Sequence, residues 1–264
     1  MVTTKRRSEW MYWILLAVVV VAGVNFWLSR AAIENREAME GQQHRFYTTE
    51  DGNEDVRLPI LVVGFPKVGT TSIHASFVCG GYRSSHYCCC GSNRTHTHCD
   101  GGPTFSDCMR ANKKAQRPIL EGCGDYDVYS QMDAELGAGI YLPQHFDLEL
   151  LHEYAPEATL LLNVRPADAW MKSVTNWYGL GGRFLRQFKI DVNKVERNKA
   201  LEEIFENHTT LIRDFVAKYP SHTLVEVDIS NPSAGDTMAQ AFGIPSTCWG
   251  VHNQNKRLNK TILQ

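Results

Sequence analysis

A short apolar run, Pro59-Ile60-Leu61-Val62-Val63-Gly64, passes directly into Phe65-Pro66-Lys67-Val68-Gly69-Thr70-Thr71-Ser72, and no other feature of the chain constrains the fold as much. The run is short, β-branched and without alternation, the pattern of a strand buried on both faces of a parallel sheet. After the glycine-bounded turn, Ser72 to Cys79 reads as a helix that Thr70, Thr71 and Ser72 can cap. A strand, a glycine loop and a helix in this order gather backbone N–H groups and the positive end of a helix around an anion.

The rest of the chain repeats the alternation. Residues 118–121 read as a strand, 147–154 as a helix broken by Pro156, and 159–164 as a buried strand. Residues 167–177 read as an amphipathic helix on which Trp170 and Trp177, seven apart, belong to the core. A long helix is expected between Val195 and Tyr219, with a strand at 223–227 and a helix at 233–242. Strands alternating with helices predict one α/β domain over residues 58–264, a parallel sheet flanked by helices with a phosphate-binding loop. In such a sheet the ligand lies beyond the carboxyl ends of the strands, where the turn after Gly64 sits. Lys and Arg number 27 against 29 Asp and Glu, a formal net charge of −2, which removes the electrostatic argument for nucleic-acid binding.

Residues 10–28 hold nineteen positions without a charge. A helix of that length reaches about 28 Å, enough to cross a bilayer core of roughly 30 Å. A cleaved signal peptide is the rival, although its apolar region is usually shorter. Lys5, Arg6 and Arg7 precede the span and charges of mixed sign follow it. The expectation is a cytosolic tail at 1–9, a signal anchor at 10–28, a polar stem at 29–57 and a lumenal domain. Sequons at Asn93, Asn207 and Asn259 agree with that placement.

Seven of the eight cysteines fall between Cys79 and Cys123, which an oxidising lumen would pair as disulfides in a loop-like insertion. The alternative is a zinc site drawn from His86, Cys88, Cys90, His96, His98 and Cys99, but the cluster lacks paired Cys-x₂-Cys knuckles. The expectation is disulfides and no metal.

The glycine spacing of the loop is that of a nucleotide-binding G-x-x-x-x-G-K-[ST] motif, yet position 70 is Thr and the lysine lies inside the loop at 67. The strand at 159–164 runs into Arg165, where an NTPase often has a magnesium-binding acid. Pro66-Lys67-Val68-Gly69-Thr70-Thr71-Ser72 resembles the P-K-x-G-T-T-[SW] loop of sulfotransferases, which use 3′-phosphoadenosine 5′-phosphosulfate (PAPS). Arg165 followed eight positions later by Ser173 resembles the second motif of that family, which holds the 3′-phosphate. Pro166 departs from the family's commoner Arg-Asn-Pro or Arg-Asp-Pro.

The resemblance implies that residues 66–72 bind the 5′-phosphosulfate without a metal, that Lys67 steadies the leaving oxygen, and that Arg165 and Ser173 take the 3′-phosphate. Lys256 and Arg257, in a basic stretch like the family's third cofactor-contacting loop, would add further contacts. It also implies a single-pass Golgi membrane protein that sulfates a glycan or glycoprotein; the near-neutral charge predicts no nucleic-acid partner. Glu121, at the end of the expected 118–121 strand, is the first candidate for general base, with His86, His145 and His252 as alternatives. Acceptor contacts are expected from the 79–123 insertion and from residues 178–189, where Arg183, Arg186 and Lys189 would attract an acidic acceptor. A kinase or NTPase, or an inactive binding module of the same fold, are the other readings.

Overall fold

The computed structural model describes residues 56–89, 99, 102–191, 193 and 196–252. The expected tail and span, and all of the stem except residues 56 and 57, lie outside the described residues. Among the described residues no helix is long and apolar enough to cross a membrane.

Five parallel strands form the central sheet, β1 (Ile60–Val62), β2 (Ser84–His86), β3 (Val128–Ser130), β6 (Thr159–Val164) and β7 (Thr223–Asp228), in the order β2-β3-β1-β6-β7. β1 is the middle strand, with Ile60 opposite both Val128 and Thr159. It has no exposed edge, which explains its unbroken apolar sequence. Alternate side chains then serve opposite faces. Leu61 and Val63 pack with Leu160, Leu162, Ile212 and Phe215, whereas Ile60 and Val62 pack with Ile73, Phe77, Met238 and Phe242.

The first face is covered by α2 (Phe105–Lys114), α4 (Leu148–Tyr154) and α7 (Arg197–Lys218). The second is covered by α1 (Thr70–Cys79) and α8 (Ala234–Phe242). A third cluster includes Phe65, Val68, Trp170, Phe184, Leu201 and Phe205, and it draws on α5 (Ala167–Thr175), α6 (Leu180–Gln187) and α7. Each fully buried Phe or Leu there contributes roughly 1.5–3 kcal/mol relative to exposure, so the residues flanking the loop are held from below.

The expected strands at 159–164 and 223–227 and the helices around 147–154, 195–219 and 233–242 are present within a few residues. Residues 118–121 are a correction: they form a turn, with Glu121 N bonded to Pro118 O at 3.0 Å. Arg117 and Pro118 are exposed, so only Ile119 and Leu120 face the core, and the run lacks the paired faces of a buried strand. The sheet position expected there is filled by β3. Residues 178–189 are another correction, being mostly the helix α6.

The cysteine-rich segment is not a structureless insertion, since it contains β2 and α2. Thr104 and Asp107 close a reciprocal capping box at the start of α2. Three disulfides are described, Cys88–Cys99, Cys108–Cys123 and Cys79–Cys248. The pairing removes Cys88 and Cys99 from the alternative zinc set, in which Cys90, His96 and His98 lie outside the described residues.

Cys79–Cys248 closes a sequence separation of 169 residues, and a bridge over so long a loop constrains the unfolded chain strongly. Replacing both cysteines by Ser should lower unfolding free energy by about 2–5 kcal/mol, measured by urea denaturation of the 58–264 domain. Peptide mapping without reduction should recover all three pairs.

Candidate active site

The loop from Gly64 to Gly69 leaves the carboxyl end of β1 between β3 and β6. Its carbonyls are taken up one after another: Trp170 Nε1 donates to Pro66 O at 2.9 Å, Arg165 Nη1 to Lys67 O at 3.2 Å, and Asn163 Nδ2 to Val68 O at 2.7 Å. In a trans peptide the C=O and the following N–H point in opposite directions. Carbonyls drawn toward β6 and α5 therefore turn the N–H groups of Lys67, Val68 and Gly69 the other way, toward the anion-binding side. Lys67 itself has a left-handed backbone, φ 74°, a conformation costing a lysine roughly 1–2 kcal/mol and typical of functional loops.

Two glycines make the turn possible. A Cβ at Gly64 would lie 2.2 Å from Asn163 Oδ1, so the strand must pass that amide bare. Gly69 sits at φ +79° as the N-cap of α1, and a Cβ there would meet Ile229 at 2.7 Å. The N-cap is Gly69, which has no side chain, so Thr70, Thr71 and Ser72 lie in the first turn of α1 rather than at its cap. Its first backbone bond runs from Ile73 N to Gly69 O at 3.1 Å. The N–H groups ahead of Ile73 project from the positive end of the helix, as an anion site requires.

The hydroxyls are partly committed elsewhere. Thr70 is buried; its Oγ1 donates to Gln131 Oε1 at 3.4 Å and lies 3.2 Å from His86 Nε2. A hydroxyl has one proton, so His86 is the donor of the second contact, and Thr70 offers an anion only its backbone. Ser72 Oγ accepts from His252 N at 2.9 Å. That bond belongs to a strap, in which Cys248 is bridged to Cys79, Cys248 O accepts from Ser76 Oγ at 3.2 Å, and the chain reaches Ser72 at His252. Residues 72, 76 and 79 follow one face of α1, so the carboxy-terminal segment runs back along the helix toward the loop. Lys256 and Arg257 follow His252 and lie outside the described residues.

The electrostatics centre on Lys67. Burial lowers its pKa from the ordinary lysine value, Glu135 and Asp133 act to raise it, and Arg165 acts to lower it. Its ammonium lies 3.5 Å from the centroid of the Trp177 ring. Trp177 was expected in the core with Trp170. Trp170 is fully buried, but Trp177 falls beyond the end of α5 and is 37% exposed.

Arg165 is half-buried, its pKa lowered by desolvation, and its Nε has no hydrogen-bond partner. An unpaired guanidinium N–H in that position is costly unless an anion meets it. Ser173 lies on the buried face of α5.

Among the carboxylates, Glu121 is exposed in the 118–121 turn, and the strand that would have aimed it at the loop does not exist. Asp133 is buried three residues after β3, and desolvation pushes its pKa up to about 7. Gln144 Nε2 donates to Asp133 Oδ1 at 3.2 Å and to Gly64 O at 3.4 Å, so one amide ties this carboxyl to the loop. Composition and spacing give Asp133 no mark, because its significance comes from strand order.

Of the alternative histidines, His252 is exposed, and His86 and His145 are largely buried and neutral. Burial pushes His86 down to about 3 and His145 down to about 4. His208 Nε2 lies 2.8 Å from Val63 O and therefore carries its proton there, and its Nδ1 accepts from His145 Nδ1 at 3.1 Å. Phe65 stacks on His208 with centroids 3.7 Å apart. These rings secure the end of β1 as neutral groups.

A family model described as a sulfotransferase domain matches residues 59–233. The chain belongs to the sulfotransferase domain family. The matched region contains β1, the loop, Arg165 and Ser173, and the family's chemistry makes the protein a PAPS-dependent transferase. No curated protein matches the chain. The site fits an anionic nucleotide on its own terms, through an uncapped helix start, turned amides, Lys67 and the unpartnered Arg165 Nε.

Asp133 supplies a test by pH. Its folded pKa lies above the unfolded carboxyl's, so folding loses stability as pH rises from about 4 to about 7, and the loss persists above. Asp133→Asn keeps an acceptor for Gln144 and removes the charge. Its melting temperature should exceed wild type at pH 8 and converge with wild type near pH 4.

Proposed function

We infer that this enzyme transfers a sulfuryl group from PAPS to a hydroxyl, or an amine, on a glycan or glycoprotein in the secretory lumen. The observation that carries the transfer is the pairing of Lys67, on the loop after β1, with Arg165, at the end of β6, joined through Lys67 O. PAPS, when bound, supplies a sulfuryl group already activated as an anhydride with phosphate. The amides of Lys67 to Ser72 hold the 5′-phosphate, and Arg165 with Ser173 holds the 3′-phosphate by charge-assisted bonds. Lys67 stabilises charge on the leaving oxygen, which is electrostatic help aimed at where charge develops. Pro66 and Val68 shape the loop rather than contact through side chains. The strap along α1 supports a cofactor role for Lys256 and Arg257, four and five residues beyond its last bond.

The acceptor's proton goes to Asp133 in this reading, in place of Glu121. A carboxyl near pH 7 is matched to general-base work, and it shares the loop's surroundings. Acceptor contacts come from the hairpin β4 (Ala134–Leu136) and β5 (Gly139–Tyr141) and from the residues around Trp177. Arg183 is not the free cation expected of it, because it pairs with Glu135 at 2.7 Å.

Placement in the Golgi membrane rests on the 10–28 span. Three disulfides support an oxidising compartment, and the described sequon residue, Asn207, is exposed on α7.

Ligand binding raises stability by about 2.7 kcal/mol at a hundredfold excess over Kd. Adenosine 3′,5′-bisphosphate in EDTA should therefore raise the melting temperature clearly, ATP with magnesium much less, and Arg165→Ala should lose the first shift. Lys67→Ala and Asp133→Asn should keep the shift and lose most sulfate incorporation from radiolabelled PAPS into secreted glycoproteins. A magnesium-dependent shift with ATP alone would favour a phosphoryl-transferring enzyme instead.

A further inference from the structure

We propose that Trp177 is a positioning residue for Lys67, holding the ammonium on its ring face so that it stays available to the leaving oxygen. The proposal rests on the role given to Lys67 above.

A lysine side chain has four rotatable bonds and, in this setting, two carboxyl groups that attract it, Asp133 and Glu135. Left to themselves these would draw the ammonium into an ion pair. Glu135 is already occupied on both oxygens: Oε1 accepts from Trp177 Nε1 at 2.7 Å, and Oε2 pairs with Arg183 Nη1 at 2.7 Å. Arg183 is itself fixed, donating from Nε to Gly137 O at 2.9 Å and from Nη1 to Tyr178 O at 2.7 Å. Arg186 Nε adds a bond to Ala138 O at 2.8 Å.

The β4–β5 hairpin and the start of α6 thus clamp Glu135, and Glu135 orients the indole. The indole then presents its face to Lys67 Nζ at 3.5 Å. A carboxylate accepting from Nε1 also pushes electron density into the ring, which strengthens its attraction for a cation.

The choice of partner matters for catalysis. An ammonium bound to a carboxylate is neutralised and must be pulled away before it can stabilise new negative charge. A ring face fixes the ammonium's position with a weaker hold and leaves its N–H donors free to turn. The spacing of Trp177 from Trp170 suits one helix face, but α5 ends at Thr175, and that frees the indole from the helix pattern.

The test compares Trp177→Leu, Trp177→Phe and Lys67→Met in the lumenal domain. The first measurement is affinity for adenosine 3′,5′-bisphosphate. The second is the rate at which PAPS is cleaved with water as acceptor: water oxygen bonds to sulfur, the sulfur–oxygen bond to phosphate breaks with its electrons left on the phosphate, and a proton passes to solvent. Trp177→Leu should cut this rate tenfold or more, with nucleotide affinity within threefold of wild type. Trp177→Phe keeps a ring face and should stay within threefold of wild type. If Trp177→Leu does not fold, Glu135→Gln, which weakens the clamp, should slow cleavage at least threefold with affinity unchanged.

A normal rate in Trp177→Leu beside a slow Lys67→Met overturns the positioning role alone. So does an equal loss in the Leu and Phe variants, or a parallel fall in affinity. A normal rate in Lys67→Met, or no nucleotide binding by wild type, overturns the reading of the loop and this proposal with it.

Discussion

One carboxamide holds the site together. Asn163 lies at the end of β6, buried, with Nδ2 on Val68 O and Oδ1 against the bare Cα of Gly64. It bonds the loop to the neighbouring strand at Val68 and packs so closely on Gly64 that no side chain fits between. Trp170 and Arg165 extend the same attachment to Pro66 and Lys67, so the loop's shape is imposed from β6 and α5 as much as by its own residues. The anion site follows from this, since carbonyls held on one side leave amides on the other.

The cost of that arrangement is met below the loop. Phe65, stacked on His208 and edge-on to Phe184, fills the space where the chain leaves the sheet. Two neutral histidines bond the end of β1 to α7 and to α3 (Pro143–Phe146). Packing energy of this kind can sustain a left-handed lysine and an unpaired guanidinium N–H, which would be expensive in a loose loop.

What could be read from the chain divides along a physical line. The strands β1, β6 and β7, the long helix α7 and the loop declare themselves by local composition, because each is a continuous buried or amphipathic segment. Strands β2 and β3 do not. Ser84-Ser85-His86 has no apolar signature, and Val128-Tyr129-Ser130 is three residues long; β3 exists because β1 offers a pairing edge, and β2 because β3 then offers the next. Residues 118–121 show the same limit: a local apolar run suggests a strand, but pairing gives that sheet position to β3. At the site, Lys67 and Arg165 stand in spaced motifs and were legible. Asp133, Glu135 and Trp177 reach Lys67 only through strand order and hairpin geometry, which no spacing along the chain records. Cys79–Cys248 was equally hidden, since connectivity is a property of the folded chain.

The strap along α1 also separates two meanings of a domain's end. The family match stops at residue 233, but the physical unit does not. Beyond it, Ala234, Met238, Phe242 and Ile244 complete the apolar layer on the α1 face, Phe242 O receives the Tyr82 hydroxyl, and Cys248 and His252 fasten the chain to the helix that begins at the loop. A chain cut at the family boundary would expose Ile73 and Phe77 and orphan Cys79. The segment least recognisable as sulfotransferase is thus the one that seals one face of the sulfotransferase core.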